Sequence, residues 1–286
     1  MATTTVETIS RHRCHGGWVG YYRHDSSSTG TPMKFGVFEP PQAAATGARV
    51  PVLLYLAGLT CDETTFLIKA AAEKVAAELG LMLLAPDTSP RGLDLPGIRD
   101  SWDFGEAAGF YLDATAQPWA ANFRMESYIT GELLRTVAAS FPAADLDRLS
   151  IMGHSMGGHG AMTLALRHPG RFRSVSALAP IVAPSQVPWG HKAFGTYLGS
   201  DRSVWAEHDT VALLQAGRRF PGPLLVDQGL ADKFLEEQLR PELLEQACTQ
   251  TGQALTLRRH EGYDHGYFFI QTVIEDHLRH HAAAVV

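Results

Sequence analysis

The pentapeptide Gly153-His154-Ser155-Met156-Gly157 constrains this chain more than any other segment. It follows the apolar run 149–152 and leads into residues 158–166, whose apolar side chains recur at helical spacing. A G-x-S-x-G between a strand and a helix forms a sharp turn that lifts the serine hydroxyl above a sheet, and glycine is needed where the two elements crowd the turn. Ser155 is therefore the expected nucleophile. Gly158 and Gly160 are expected to let the helix lie close to the strand. Without that context the pattern is an ordinary glycine-rich turn.

The rest of the chain repeats the same alternation. Short β-branched or apolar runs at 33–38, 50–57, 81–85, 149–152, 174–178, 224–227 and 255–259 read as strands. Amphipathic patterns at 64–79, 125–140, 157–167, 236–249 and 267–280 read as helices. Strands alternating with helices imply a mostly parallel central sheet with helices on both faces, which together with the serine turn is the α/β-hydrolase fold. One domain is expected over residues 1–286. The Pro/Ala/Gly-rich stretch 40–47 lies too near the N-terminus to link two cores and reads as a hairpin loop. Segments 87–122, with Trp102 and Trp119, and 181–203, with Trp189, break the alternation as long loops, the natural walls of a substrate pocket.

Composition excludes several classes. Of 286 residues 45% are hydrophobic and 19% charged, a globular enzyme's profile. The net charge is −6 with scattered Lys and Arg, so no basic stripe exists for nucleic acid. The first thirty residues lack the apolar core of a secretory signal, and no apolar run reaches membrane-spanning length. Cys14, Cys61 and Cys248 are widely separated and odd in number, which suits free thiols in a reducing compartment. A cytoplasmic protein acting on a small-molecule substrate, without cofactor or membrane partner, is expected; a homodimer stays open.

A serine nucleophile needs a base, and in this fold the order is Ser, acid, His. His265 qualifies, in the turn-rich Glu261-Gly262-Tyr263-Asp264-His265-Gly266 directly after the last strand. Its imidazole would take the Ser155 proton and return it to the leaving group. His277, His280 and His281 read as surface or capping residues of the terminal helix. The spacing of His277 and His281 would suit a metal, but no carboxylate or cysteine of suitable spacing joins them, and the chemistry needs none. Asp227, Asp232 and Asp264 compete to orient His265. Asp264 is the poorest, because adjacent side chains in an extended loop diverge. Asp232 is favoured as a turn residue able to lean toward the histidine, while Asp227 has the alternative of capping the turn Gln228-Gly229.

The developing oxyanion requires two preorganised N–H donors. One is the backbone N–H of Met156, at a helix N-terminus. The second belongs to the loop after an early strand, Ala57-Gly58-Leu59-Thr60-Cys61, where Gly58 would permit a turn presenting the Leu59 N–H. A plain tight turn is the alternative for Gly58.

With these residues placed, the chain resembles the S-formylglutathione hydrolase (esterase D) family over nearly its whole length. The resemblance rests on Gly58-Leu59-Thr60-Cys61, Ala85-Pro86-Asp87-Thr88-Ser89-Pro90-Arg91-Gly92, Ser101-Trp102-Asp103-Phe104-Gly105, Gly109-Phe110-Tyr111, Asp113-Ala114-Thr115, residues 153–160, Pro188-Trp189-Gly190, Asp227-Gln228-Gly229 and residues 261–265. It implies Ser155, Asp232 and His265 as the triad, Leu59 and Met156 as oxyanion donors, and hydrolysis of S-formylglutathione to glutathione and formate with side activity on short acyl esters. It favours Asp232 over Asp227 and implies Trp102 and Trp189 as borders of the substrate pocket, the alternative being that they only pack the loop bases. Cys61, two residues beyond Leu59, is expected near the acyl pocket as a modifiable thiol rather than a nucleophile. Ala57, His191 and Asp62-Glu63-Thr64 depart from the usual pattern without removing a catalytic group. A broad short-chain carboxylesterase is the alternative activity; a silent fold acting as a binding module is disfavoured by the intact triad.

Overall fold

The computed structural model describes residues 5–285. Its centre is a nine-stranded sheet of β1 (Glu7–Cys14), β2 (Gly17–Asp25), β3 (Pro32–Glu39), β4 (Val50–Leu56), β5 (Met82–Pro86), β6 (Ala144–His154), β7 (Val175–Leu178), β8 (Leu224–Gly229) and β9 (Leu255–His260). The spatial order is β1-β2-β3-β5-β4-β6-β7-β8-β9. From β5 to β9 every neighbouring pair is parallel, whereas β1, β2 and β3 join antiparallel at one side. The parallel strands β5, β7 and β8 are buried along their whole length, as a strand covered by helices on both faces must be.

The N-terminal ribbon carried no apolar alternation strong enough to read. β1 is largely exposed and polar, so its pattern is that of a loop. What makes it a strand is the two-residue turn His15-Gly16, with φ of 45° and 79°. Two consecutive positive φ values match the right-handed twist of a hairpin and pair Cys14 with Gly17. Conversely, 40–47 is not a hairpin loop. β3 and β4 both pair with β5, which lies between them, so the connection carries the chain across β5.

Three expected elements are redrawn. The helix at 64–79 divides into Thr65–Lys69 and Glu73–Leu79, because Ala71 turns left-handed at φ 55°. The helix at 236–249 begins later, at Pro241–Thr251, since proline starts a helix well but fits poorly inside one; a wide turn, Leu235–Leu239, precedes it. Segment 181–203 contains the helix Pro188–Tyr197, again opened by proline, so Trp189 stands on a helix. Segment 87–122 is irregular apart from the short turn Trp119–Ala121. No helix of the described residues is long and apolar enough to cross a membrane.

Candidate active site

β6 ends at His154 and the helix Met156–Arg167 begins two residues later. Ser155 occupies the joint at φ 58°, ψ −118°, a conformation disfavoured for any L-residue and held by the elements on either side. The flanking glycines are forced by space: a Cβ on Gly153 would lie 2.1 Å from the Gly157 carbonyl oxygen, and one on Gly157 would lie 1.9 Å from the Leu56 carbonyl oxygen. Gly160 differs from expectation, because what a Cβ there would meet first is the Tyr111 ring, 2.6 Å away.

His265 lies on the loop between β9 and the helix Tyr267–Ala283. Its Nδ1 is 2.5 Å from Asp232 Oδ2. Asp232 is itself fixed, accepting from the Phe234 N–H at 2.8 Å and from Gln228 Nε2 at 3.4 Å. An Nδ1 held by a carboxylate leaves Nε2 available as the basic nitrogen. Ser155 and His265 line one cavity of about 330 Å³. The Ser155 Oγ is buried and has no hydrogen-bond partner among the described residues, so it stands uncommitted at the cavity floor.

Asp227 performs a different task. Its carboxylate accepts from Arg258 Nε at 2.6 Å and also from Arg258 Nη2, from His260 Nε2 at 2.9 Å and from His277 Nε2 at 2.8 Å. Burial pushes its pKa up, but His277, Arg258 and His260 outweigh burial and hold the carboxyl well below the usual carboxylate range. It neither caps the turn Gln228-Gly229 nor reaches His265. The reading of the terminal histidines is corrected with it. His277 and His281 are fully buried, and their ring nitrogens bond to Ser174, Ser176 and Asp227 in a chain that ties the last helix to β7 and β8. Their spacing on one helix face is a packing feature. Among the described residues no group of three or more His, Cys, Asp or Glu converges as a metal site. Asp264 accepts from the Gly266 N–H and turns away from the histidine beside it.

The segment expected to supply the second N–H donor is a bend at Gly58 to Cys61. The Thr60 N–H goes to the Ala107 carbonyl and the Cys61 N–H to the Gly58 carbonyl, while the Leu59 N–H has no partner among the described residues. Met156 opens its helix, so its N–H is one of the donors a helix leaves unsatisfied. The left-handed residue of the bend is Thr60, at φ 69°, rather than Gly58. Gly58 is needed for proximity instead, since a Cβ there would approach the Ser155 Cβ to 3.1 Å.

The family-like segments explain why this bend is rigid. Tyr111 donates to the Ala57 carbonyl at 2.8 Å; Thr88 and Arg91 donate to the Cys61 carbonyl at 2.7 and 3.1 Å. Arg91 is held by Asp87 through Nε at 2.7 Å and Nη2 at 2.8 Å. Of the departures, Asp62 accepts from the Thr64 N–H and from the Thr64 and Thr65 hydroxyls just ahead of the following helix, and His191 bonds the Ser185 carbonyl at 2.9 Å.

Trp102 and Trp189 both line the cavity, edge to face at 5.6 Å, with Trp102 exposed and Trp189 buried. Cys61 lines it as well, half-buried. Burial raises the Cys61 thiol pKa, only partly offset by Thr65 and Lys69, which lowers its thiolate fraction at neutral pH.

Three lining residues escaped the sequence reading. His154, inside the serine motif, is fully buried with its ring 4.5 Å from that of His265; burial first, then the neighbouring histidine, drive its pKa well below the usual imidazole value. It is therefore a neutral wall beside His265. Phe234 sits between Trp189, at 4.7 Å, and His265, at 5.1 Å. Lys233 completes this side of the cavity. The signal for the last two was their position directly after Asp232.

The family model described as "Putative esterase" matches residues 26–280. S-formylglutathione hydrolase of Rattus norvegicus is 48% identical over 281 residues, 97% of this chain and 98% of the rat protein. Among solved structures, an S-formylglutathione hydrolase from Agrobacterium tumefaciens superposes with a TM-score of 0.94 at 48% identity, covering 98% of this chain and 99% of that one. A fluorophosphonate-binding serine hydrolase of Staphylococcus aureus shares the fold alone, with a TM-score of 0.73 at 21% identity over 93% of this chain and 98% of that one. A near-full-length match at this identity, on an α/β-hydrolase sheet, makes the chain a serine hydrolase belonging to the S-formylglutathione hydrolase family.

Proposed function

We propose that the protein hydrolyses S-formylglutathione to glutathione and formate, with side activity on short acyl esters, using Ser155 as nucleophile, His265 as base and Asp232 as its orienting acid. The observation that carries this reading is a carboxylate-held imidazole sharing one cavity with an uncommitted serine. Ser155 Oγ adds to the formyl carbonyl while His265 Nε2 takes its proton; Leu59 and Met156 donate N–H bonds to the oxyanion. The tetrahedral centre collapses, the C–S bond breaks, and His265 protonates the departing thiolate. Water then attacks the formyl-serine, giving its proton to His265, which returns it to Ser155 as formate leaves. Trp102 and Trp189 border the acyl or glutathione part of the pocket. A cytoplasmic location is supported by three free cysteines.

The test is steady-state kinetics on S-formylglutathione against p-nitrophenyl acetate. A higher kcat/KM on the thioester is expected; an equal or lower value would make the protein a broad carboxylesterase.

Cys61 is assigned no step and acts as a modifiable bystander beside the oxyanion bend. Iodoacetamide is expected to inactivate the wild type slowly at pH 7 and faster as pH rises, because the raised thiol pKa limits thiolate. Cys61→Ser is expected to resist. Equal inactivation of both proteins would move the sensitive thiol to Cys14 or Cys248.

A further inference from the structure

Of the eleven residues that line the catalytic cavity, Lys233 alone carries a fixed charge. Its backbone is anchored by its neighbours, since Asp232 holds both His265 and the Phe234 N–H. Lys233 is exposed, and its ammonium lies 4.9 Å from the Phe234 ring centre, so the side chain rests against that ring at the rim of the cavity. Among the described residues no carboxylate lies within ion-pair distance of it, although Glu236 and Glu237 follow closely in the chain. Outside the lining, one neighbouring cation is already paired. Lys192, one turn beyond Trp189, is bound to Asp103, beside Trp102, and to Ser101 at 2.8 Å.

An uncompensated cation in an otherwise uncharged, aromatic cavity favours an anionic substrate. Glutathione offers carboxylates at both ends of the peptide, whereas simple acyl esters offer none. We propose that Lys233 is a specificity-determining residue that pairs with a carboxylate of the glutathione moiety, thereby distinguishing the thioester from neutral esters. The inference rests on the S-formylglutathione reading above.

The test compares S-formylglutathione with its diethyl ester, in which both carboxylates are masked, by following thiol release from wild type, Lys233→Gln, Lys233→Glu and Lys233→Arg. The quantity read is the ratio of kcat/KM for the free acid to that for the diester. Because the ammonium is exposed and screened, the ratio is expected to fall about 3-fold in Lys233→Gln and roughly 10-fold in Lys233→Glu, mostly through KM. Arginine should restore it, and added salt at about 0.5 M, roughly three times physiological strength, should shrink the wild-type ratio toward the glutamine value. A ratio unchanged in both Lys233→Gln and Lys233→Glu, or equal losses on both substrates, overturns the assignment while leaving the substrate reading intact. A wild type that cleaves the diester but not the free acid overturns the substrate reading and this inference together.

Discussion

Ser155→Ala is expected to lower kcat by about 10⁴- to 10⁶-fold, because members of a triad act as one unit. The structure adds that folding should be untouched. The Ser155 hydroxyl is buried without a partner among the described residues, so its removal breaks no hydrogen bond within them and deletes a desolvated polar group, a change that is neutral or slightly stabilising. The strained backbone at φ 58° is held by β6 and the following helix and treats alanine as it treats serine. Kinetics and a thermal melt of the same preparation check both halves. A folded variant retaining more than a tenth of the activity would remove Ser155 from the mechanism.

Asp232→Asn and Asp227→Asn are expected to separate activity from stability. At Asp232 an amide cannot stabilise the imidazolium and permits the wrong tautomer of His265, so kcat should fall on the order of 10⁴-fold with little change in melting temperature. At Asp227 the amide leaves Arg258 and the buried His277 facing a group that cannot accept from all of them. Breaking a buried pair costs about 3 kcal/mol or more, which in a chain of this size lowers the melting temperature by roughly 5 °C or more. Because the Asp227 carboxyl is held below its unfolded value, its stabilisation is present above the unfolded carboxylate pKa and is lost as pH falls toward the folded one. Asp227→Asn should therefore flatten the acid side of the stability profile. If Asp227→Asn is the inactive and stable variant, the two aspartates have exchanged roles.

These two aspartates also mark how far local pattern carries. Asp227 ends a strand, Asp232 lies just past it, and both precede turns; turn position and family likeness favoured Asp232 only narrowly over Asp227, and in the fold the two side chains meet different partners. Asp227 is still within β8, where its side chain faces the terminal helix and meets His277. Asp232 is five residues further on, past the strand end, and meets His265.

What the sequence by itself determined is whatever depends on neighbours along the chain: the parallel core strands, the serine turn with its obligatory glycines, the bend that offers Leu59, and the histidine loop after the last strand. Each is written in hydrophobic period or in a steric need for glycine, which act over a few residues. What only the tertiary structure decided depends on contacts between distant segments. The polar ribbon β1 is a strand because β2 pairs with it, and His277 and His281 are core because β7 and β8 lie beneath them. Lys233 faces the cavity because Phe234 and the anchored Asp232 set its direction. A polar side chain looks alike in sequence whether water or a buried partner satisfies it, and only the fold supplies the partner.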